Sequence, residues 1–123
     1  MDIINKKRHF FSIELAEKYG VAEAIMLNHL IYWVASNSMK NTNHHEGRFW
    51  TYNSVRRFSE FFSYWTESQV ARILKSLVKK GVIIEGNFNK IKYDRTKWYA
   101  LKDEKYFLEN YNPVDEIEKW NSL

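Results

Sequence analysis

Four cations, Lys90, Lys92, Arg95 and Lys97, crowd into eight residues of the stretch KIKYDRTKWYAL, which then runs into aromatic residues. Held on one hairpin tip, such a set neutralises an anion, and phosphate suits both the ammonium and the forked guanidinium. A second set recurs upstream at helical spacing: Ser68, Arg72, Lys75, Ser76 and Lys79. At 100° per residue they lie opposite the apolar stripe of Val70, Ile73, Leu74, Leu77 and Val78. That face carries hydroxyls among long cations and no carboxylate after Glu67. Such a face suits a helix in a major groove, with Arg or Lys for guanine edges and phosphates and Ser for adaptable hydrogen bonds. Gln69, on the first turn, joins the contact set, as do Arg56 and Arg57 near the start of the preceding helix. One of those two arginines must face outward if Val55 and Phe58 face inward. A charged face is often only a solvated one, but a face of one sign beside a basic hairpin favours the anion.

Other chemistries find little support. The pair His44-His45 has no cysteine and no carboxylate at helical spacing, so it reads as a polar loop and not as a metal site. His29 reads as a hydrogen-bonded, partly buried imidazole. Acidic residues are scattered, and no nucleophile elbow, phosphate-cradling glycine loop or dinucleotide fingerprint occurs. The expectation is a non-enzymatic chain with no cofactor and no metal.

The elements that must position these residues fit one domain. The chain has 123 residues, 45% of them hydrophobic and 17% aromatic, with four glycines, one proline and no cysteine. Net charge is +4, distributed unevenly. Residues 51–101 carry ten Lys/Arg against four acids, and residues 102–123 carry three against six. The basic middle predicts a polyanion-binding face. The N-terminus lacks the apolar segment of a signal peptide. The longest apolar-rich run, Val21 to Ala35, is broken by Glu23, Asn28 and His29 and is too short to span a bilayer. No membrane contact and a cytoplasmic location are expected.

Along the chain, Ser12 caps a helix through Tyr19, with Gly20 as an αL stop. A helix from about Ala22 to Ser36 is apolar around most of its circumference, which calls for a central position or a covering partner. Residues 36–47 read as a loop, Arg48 to Tyr52 as an aromatic strand, and Asn53 or Ser54 as the cap of a helix through Phe62. Thr66 and Gln69 predict a capping box, and Lys79, Lys80 and Gly81 the end of that helix. Strands follow around VIIEGNF and KWYAL, joined by a tip over 89–96, in which Tyr93 and Ile91 pack beneath or, as the alternative, touch sugars, and Asp94 makes a local turn and orients Arg95. An acidic helix comes next, then Pro113 and a weak last helix. The order helix, strand, helix, helix, strand, hairpin tip, strand predicts an α+β, mainly α fold: a winged helix-turn-helix with a three-stranded antiparallel sheet and extra N- and C-terminal helices. Residues 1–101 form that domain, with its core at 20–101, and 102–123 form an acidic helical extension.

Four landmarks now stand in order: Tyr32-Trp33 ending a helix, WTYNS at Trp50 to Ser54, Trp65-Thr66-Glu67 opening the basic helix, and YDRTKWY at Tyr93 to Tyr99. Over about residues 20 to 101 the chain resembles the N-terminal winged-helix domain of phage and plasmid replication initiators (replisome organizers) of low-GC Gram-positive bacteria. The resemblance implies binding of double-stranded DNA at origin repeats and recruitment of helicase-loading proteins. Such initiators usually carry a further domain, whereas this sequence ends some twenty residues after the hairpin. A small transcriptional repressor is an alternative. So is a protein-interaction module, such as a phage-encoded inhibitor of a host system, engaged through the 22–36 helix or the acidic tail. The apolar helix also predicts a homodimer.

Overall fold

The computed structural model describes residues 8–112. The expected last helix after Pro113 lies outside them. The architecture is α+β and mainly helical. Ser12 accepts the Leu15 amide and starts α1 (Ile13–Tyr19), which ends at Gly20. With φ 108° and ψ 154°, Gly20 lies outside the expected αL well, and it serves at once as the start of α2 (Val21–Lys40).

Helix α2 runs four residues past the expected end of its apolar pattern and takes up part of the expected 36–47 loop. Asn41, at φ 52° and ψ 46°, supplies the left-handed stop, and the Thr42 amide donates back to the Asn37 carbonyl. The remainder of that stretch is a hairpin. Strand β1 (His44–His45) pairs with β2 (Arg48–Phe49) in the register His45 to Arg48, around a two-residue turn of Glu46 and Gly47, both at positive φ. The expected aromatic strand 48–52 is therefore split: after Trp50 the chain enters β3 (Thr51–Tyr52), which belongs to a different sheet.

Ser54 caps α3 (Val55–Phe61), and Thr66 and Gln69 form both halves of the expected capping box that opens α4 (Glu67–Lys79). Gly81 at φ 72° closes α4. Its amide reaches the Val78 carbonyl while the Val82 amide reaches the Leu77 carbonyl, which satisfies two carbonyls that the helix end would leave bare. The chain then forms β4 (Ile83–Gly86) and β5 (Trp98–Leu101), giving a three-stranded antiparallel sheet in the order β3-β5-β4. Helix α5 (Glu104–Asn110) completes the described chain.

One core holds these elements together. Met26, Leu27, Leu30, Ile31 and Val34 of α2 meet the α4 stripe, with Phe58 and Phe62 from α3 and its C-terminal cap and Ile83, Tyr99 and Leu101 from one sheet face. Helix α2 packs against α1, α4, β5 and α5 of the same chain, while Val21 stays exposed and Ile25, Tyr32 and Trp33 stay only half-buried. Residues 102–112 are also no loose extension. Phe107 lies in the core, and the Phe49 amide donates to Glu104 Oε1 at 2.8 Å. On the outer sheet face Trp50, Trp98 and Ala100 form a smaller cluster with Ile84 and Phe88. No helix among the described residues is long and apolar enough to cross a membrane.

His29 departs from expectation. Its Nε2 is buried with no hydrogen-bond partner among the described residues, and Trp33, Phe58, Phe61 and Phe62 surround the ring at centroid distances of 5.0–6.3 Å. Burial first, and His9 second, push its pKa from 6.5 down to about 4. The unfolded chain therefore takes up a proton near pH 6.5 that the folded chain refuses until about pH 4. Stability is full above the upper value and declines as pH falls through this window. Between pH 7 and pH 5 the loss from this group is about 2 kcal/mol. Urea unfolding at the two pH values is expected to show it, and His29→Phe is expected to remove most of it. An equal pH dependence in wild type and variant would refute the assignment.

Candidate nucleic-acid interface

Because Val70, Ile73, Leu74 and Leu77 are buried, the opposite side of α4 faces solvent. Ser68, Arg72, Lys75 and Lys79 are exposed on it, and the three cations make no hydrogen bond or ion pair among the described residues. Two members of the expected set are used elsewhere. Gln69 Oε1 accepts the Thr66 amide at 2.8 Å, so its carbonyl belongs to the cap. Ser76 is a correction: it sits on the flank of the helix, half-buried, where its hydroxyl donates to Glu23 Oε1 of α2 at 3.0 Å. The neighbouring Lys80 follows it, donating to the Tyr19 carbonyl at 2.8 Å, with Glu23 3.8 Å away.

The other flank of α4 opens into a groove of about 410 Å³ against the sheet. Its walls are Val55 of α3, Ala71 and Leu74 of α4, and Tyr99 of β5. Arg72 and Lys75 stand on one side, Lys97 and Glu85 on the other. Arg72 and Lys75 of the helix and Lys97 at the end of the hairpin, more than twenty residues apart in the chain, therefore line one cleft, whereas Lys79, Lys90, Lys92 and Arg95 are not among its walls. Burial, with a further contribution from Glu85, raises the pKa of Tyr99, so its hydroxyl remains protonated. Lys97 Nζ lies 3.4 Å from Glu85 Oε1, and both side chains are well exposed, so the pair is weak and exchangeable.

The loop over 87–97 is built around a residue that the charge pattern does not reveal. Asn89 Nδ2 donates to the carbonyls of Asp94 and Thr96 at 2.9 and 2.8 Å, while its Oδ1 accepts from Trp98 Nε1 at 2.7 Å. One amide thereby ties the loop to both of its ends and to the sheet. Asp94 accepts the Thr96 amide at 2.9 Å, and that bond lowers its pKa. It shapes the turn without bonding to Arg95, contrary to expectation. Nor do Ile91 and Tyr93 pack beneath the loop, being 51% and 83% exposed. Lys90, Lys92 and Arg95 project from this braced loop, exposed and without partners among the described residues.

On α3, Arg56 and Arg57 are both exposed. Arg57 donates to Glu60 Oε2 at 2.7 Å and lies over the Phe61 ring at 5.0 Å, whereas Arg56 has no such partner among the described residues. His44 and His45 stand on the β1-β2 hairpin, where His45 stacks on Phe88 at 4.4 Å. Among the described residues no group of three or more His, Cys, Asp or Glu side chains could hold a metal ion. Asn89, Tyr99 and Glu85 are the functional candidates that charge counting missed. An NFN sequence entering a turn was the available signal for the first.

Comparison of the chain with protein-family models, with curated proteins and with solved structures yields no match.

Loss of the Asn89 side chain would strip Trp98 Nε1 and two loop carbonyls of their partner, at a cost of about 1–3 kcal/mol. Asn89→Ala is expected to lower the unfolding free energy by that amount. It is also expected to speed hydrogen exchange at the Thr96 amide while leaving α2 amides protected. A unit-like change everywhere, or no change in the loop, would show that Asn89 does not brace it.

Proposed function

We propose that the chain is a winged helix-turn-helix domain that binds double-stranded DNA without catalysing a reaction. In this reading α3 and α4 are the helix pair, and α4 enters the major groove with Ser68, Arg72, Lys75 and Lys79. The 87–97 loop is the wing, laying Lys90, Lys92 and Arg95 along the adjacent backbone. The observation that carries the reading is the shared groove of Arg72, Lys75 and Lys97, which lets one polyanion meet helix and hairpin together. The outward face of α4 adds support, since its cations are unneutralised among the described residues and no carboxylate follows Glu67 there. Gln69, Ser76 and Lys97 contribute less than their spacing suggested, because each already has a partner. Arg56 is the better backbone contact on α3. Resemblance to replication initiators supports a role at a phage or plasmid origin, as part of an initiator in the cytoplasm.

Duplex binding should weaken steeply with salt, because phosphates neutralised by lysine and arginine release counterions. With a preferred duplex, Arg72→Ala is expected to cost about 1–3 kcal/mol and to relax discrimination at one base position. Lys92→Ala is expected to weaken all duplexes alike and to reduce the salt slope by about one. Lys105→Ala, the same charge change on α5, is expected to alter neither. Fluorescence anisotropy over a salt series reads all three variants. Affinity independent of salt, or equal loss in Lys105→Ala and Lys92→Ala, would defeat the proposal.

A further inference from the structure

A separate polar pocket of about 270 Å³ lies between the C-terminal half of α2, β3 and α3. Its size suits a single small ring system. Three aromatic side chains, Trp33, Tyr52 and Phe61, wall it. Tyr52 is 47% exposed and backed by Trp98, on which it stacks at 4.3 Å and 29°. The ring is thus held in place with one face already occupied.

The polar groups are amides and one guanidinium. Asn43 and Asn53 line the pocket, half-buried, and their side chains make no hydrogen bond among the described residues. Each offers a donor and an acceptor side by side, the pattern that matches the edge of a nucleobase. Asn37 is committed, donating to the Trp50 carbonyl at 2.8 Å and so fixing the pocket floor. Arg57 closes the rim, oriented by Glu60 and the Phe61 ring. No carboxylate is among the described residues lining the pocket, and the nearest acid at its rim is Glu60, which a phosphate reaching Arg57 would have to displace.

We infer that this pocket takes one unpaired nucleotide of a DNA single strand, its base against Tyr52 and beside Asn43 and Asn53, its phosphate at Arg57. The inference extends the nucleic-acid reading above, because α3 would carry the strand from the duplex face toward the pocket. A lone base gains little from one stack and two amides, so a strand that also meets neighbouring cations is favoured over a free mononucleotide.

The test uses the full chain and a ten-nucleotide oligothymidylate, followed by tryptophan fluorescence, since Trp33 lines the pocket and Trp98 backs Tyr52. Saturable quenching is expected, with Tyr52→Leu weakening binding about tenfold, the scale of one base stacked on one aromatic ring. Asn53→Ala, at a half-buried site outside the core, is expected to weaken it severalfold and guards against a Tyr52 variant that fails to fold. Duplex affinity of both variants should remain within about twofold of wild type. Equal oligonucleotide affinity in wild type and both variants overturns the site, as does wild type that binds duplex but no single strand. Thymidine monophosphate binding as tightly as the oligonucleotide overturns the single-strand assignment in favour of a free nucleotide. Failure to bind duplex, with the oligonucleotide result intact, counts against the winged-helix reading and leaves the pocket standing.

Discussion

The seating of the α4 stripe on α2 and α3 is the constraint on which the surface chemistry depends. Val70, Ile73, Leu74 and Leu77 leave that helix only one rotation about its axis that buries them. Turning α4 by a third of a circle would drive Arg72 or Lys75 into the core, at the steep cost of burying an unpaired charge. The apolar contact thus decides which cations stand free. The capping box at one end and the Gly81 closure at the other fix where α4 starts and where β4 can begin, and so where the basic loop emerges.

Much of this was legible because the signals were local. A cap residue and a stripe lie within one or two helical turns, so α3 and α4 could be drawn from Ser54, Thr66, Gln69 and Gly81 alone. The end of α2 was harder, since Ser36 to Lys40 are polar and carry no stripe. Their helicity is anchored by Asn37 reaching Trp50 and stopped by Asn41, in a conformation that asparagine tolerates better than most residues. The β1-β2 hairpin was missed because its turn is Glu-Gly, a weaker signal than Asn-Gly or Asp-Gly.

At the site, side-chain identity was readable but engagement was not. Ser76 and Arg72 differ by only a small rotation about α4, yet Glu23 of α2, 53 positions away, claims the serine and no described residue claims the arginine. Partners across the same hairpin, which a linear charge pattern does not pair, decided the fate of Lys97 and of Asn89. The His29 pattern was misjudged for a related reason. Four aromatic rings converge on it from α2, α3 and the C-terminal cap of α3, and none of them offers a hydrogen bond to Nε2.

The close approach of Lys97 and Glu85 has a thermodynamic consequence. Glu85 acts as a tethered counterion for this ammonium. A polyanion entering the groove would have to displace a carboxylate that remains attached to the protein. Counterions condensed on the polyanion would still be released, but the carboxylate left behind would repel the incoming phosphate, so a census of groove cations overstates the net attraction at this position.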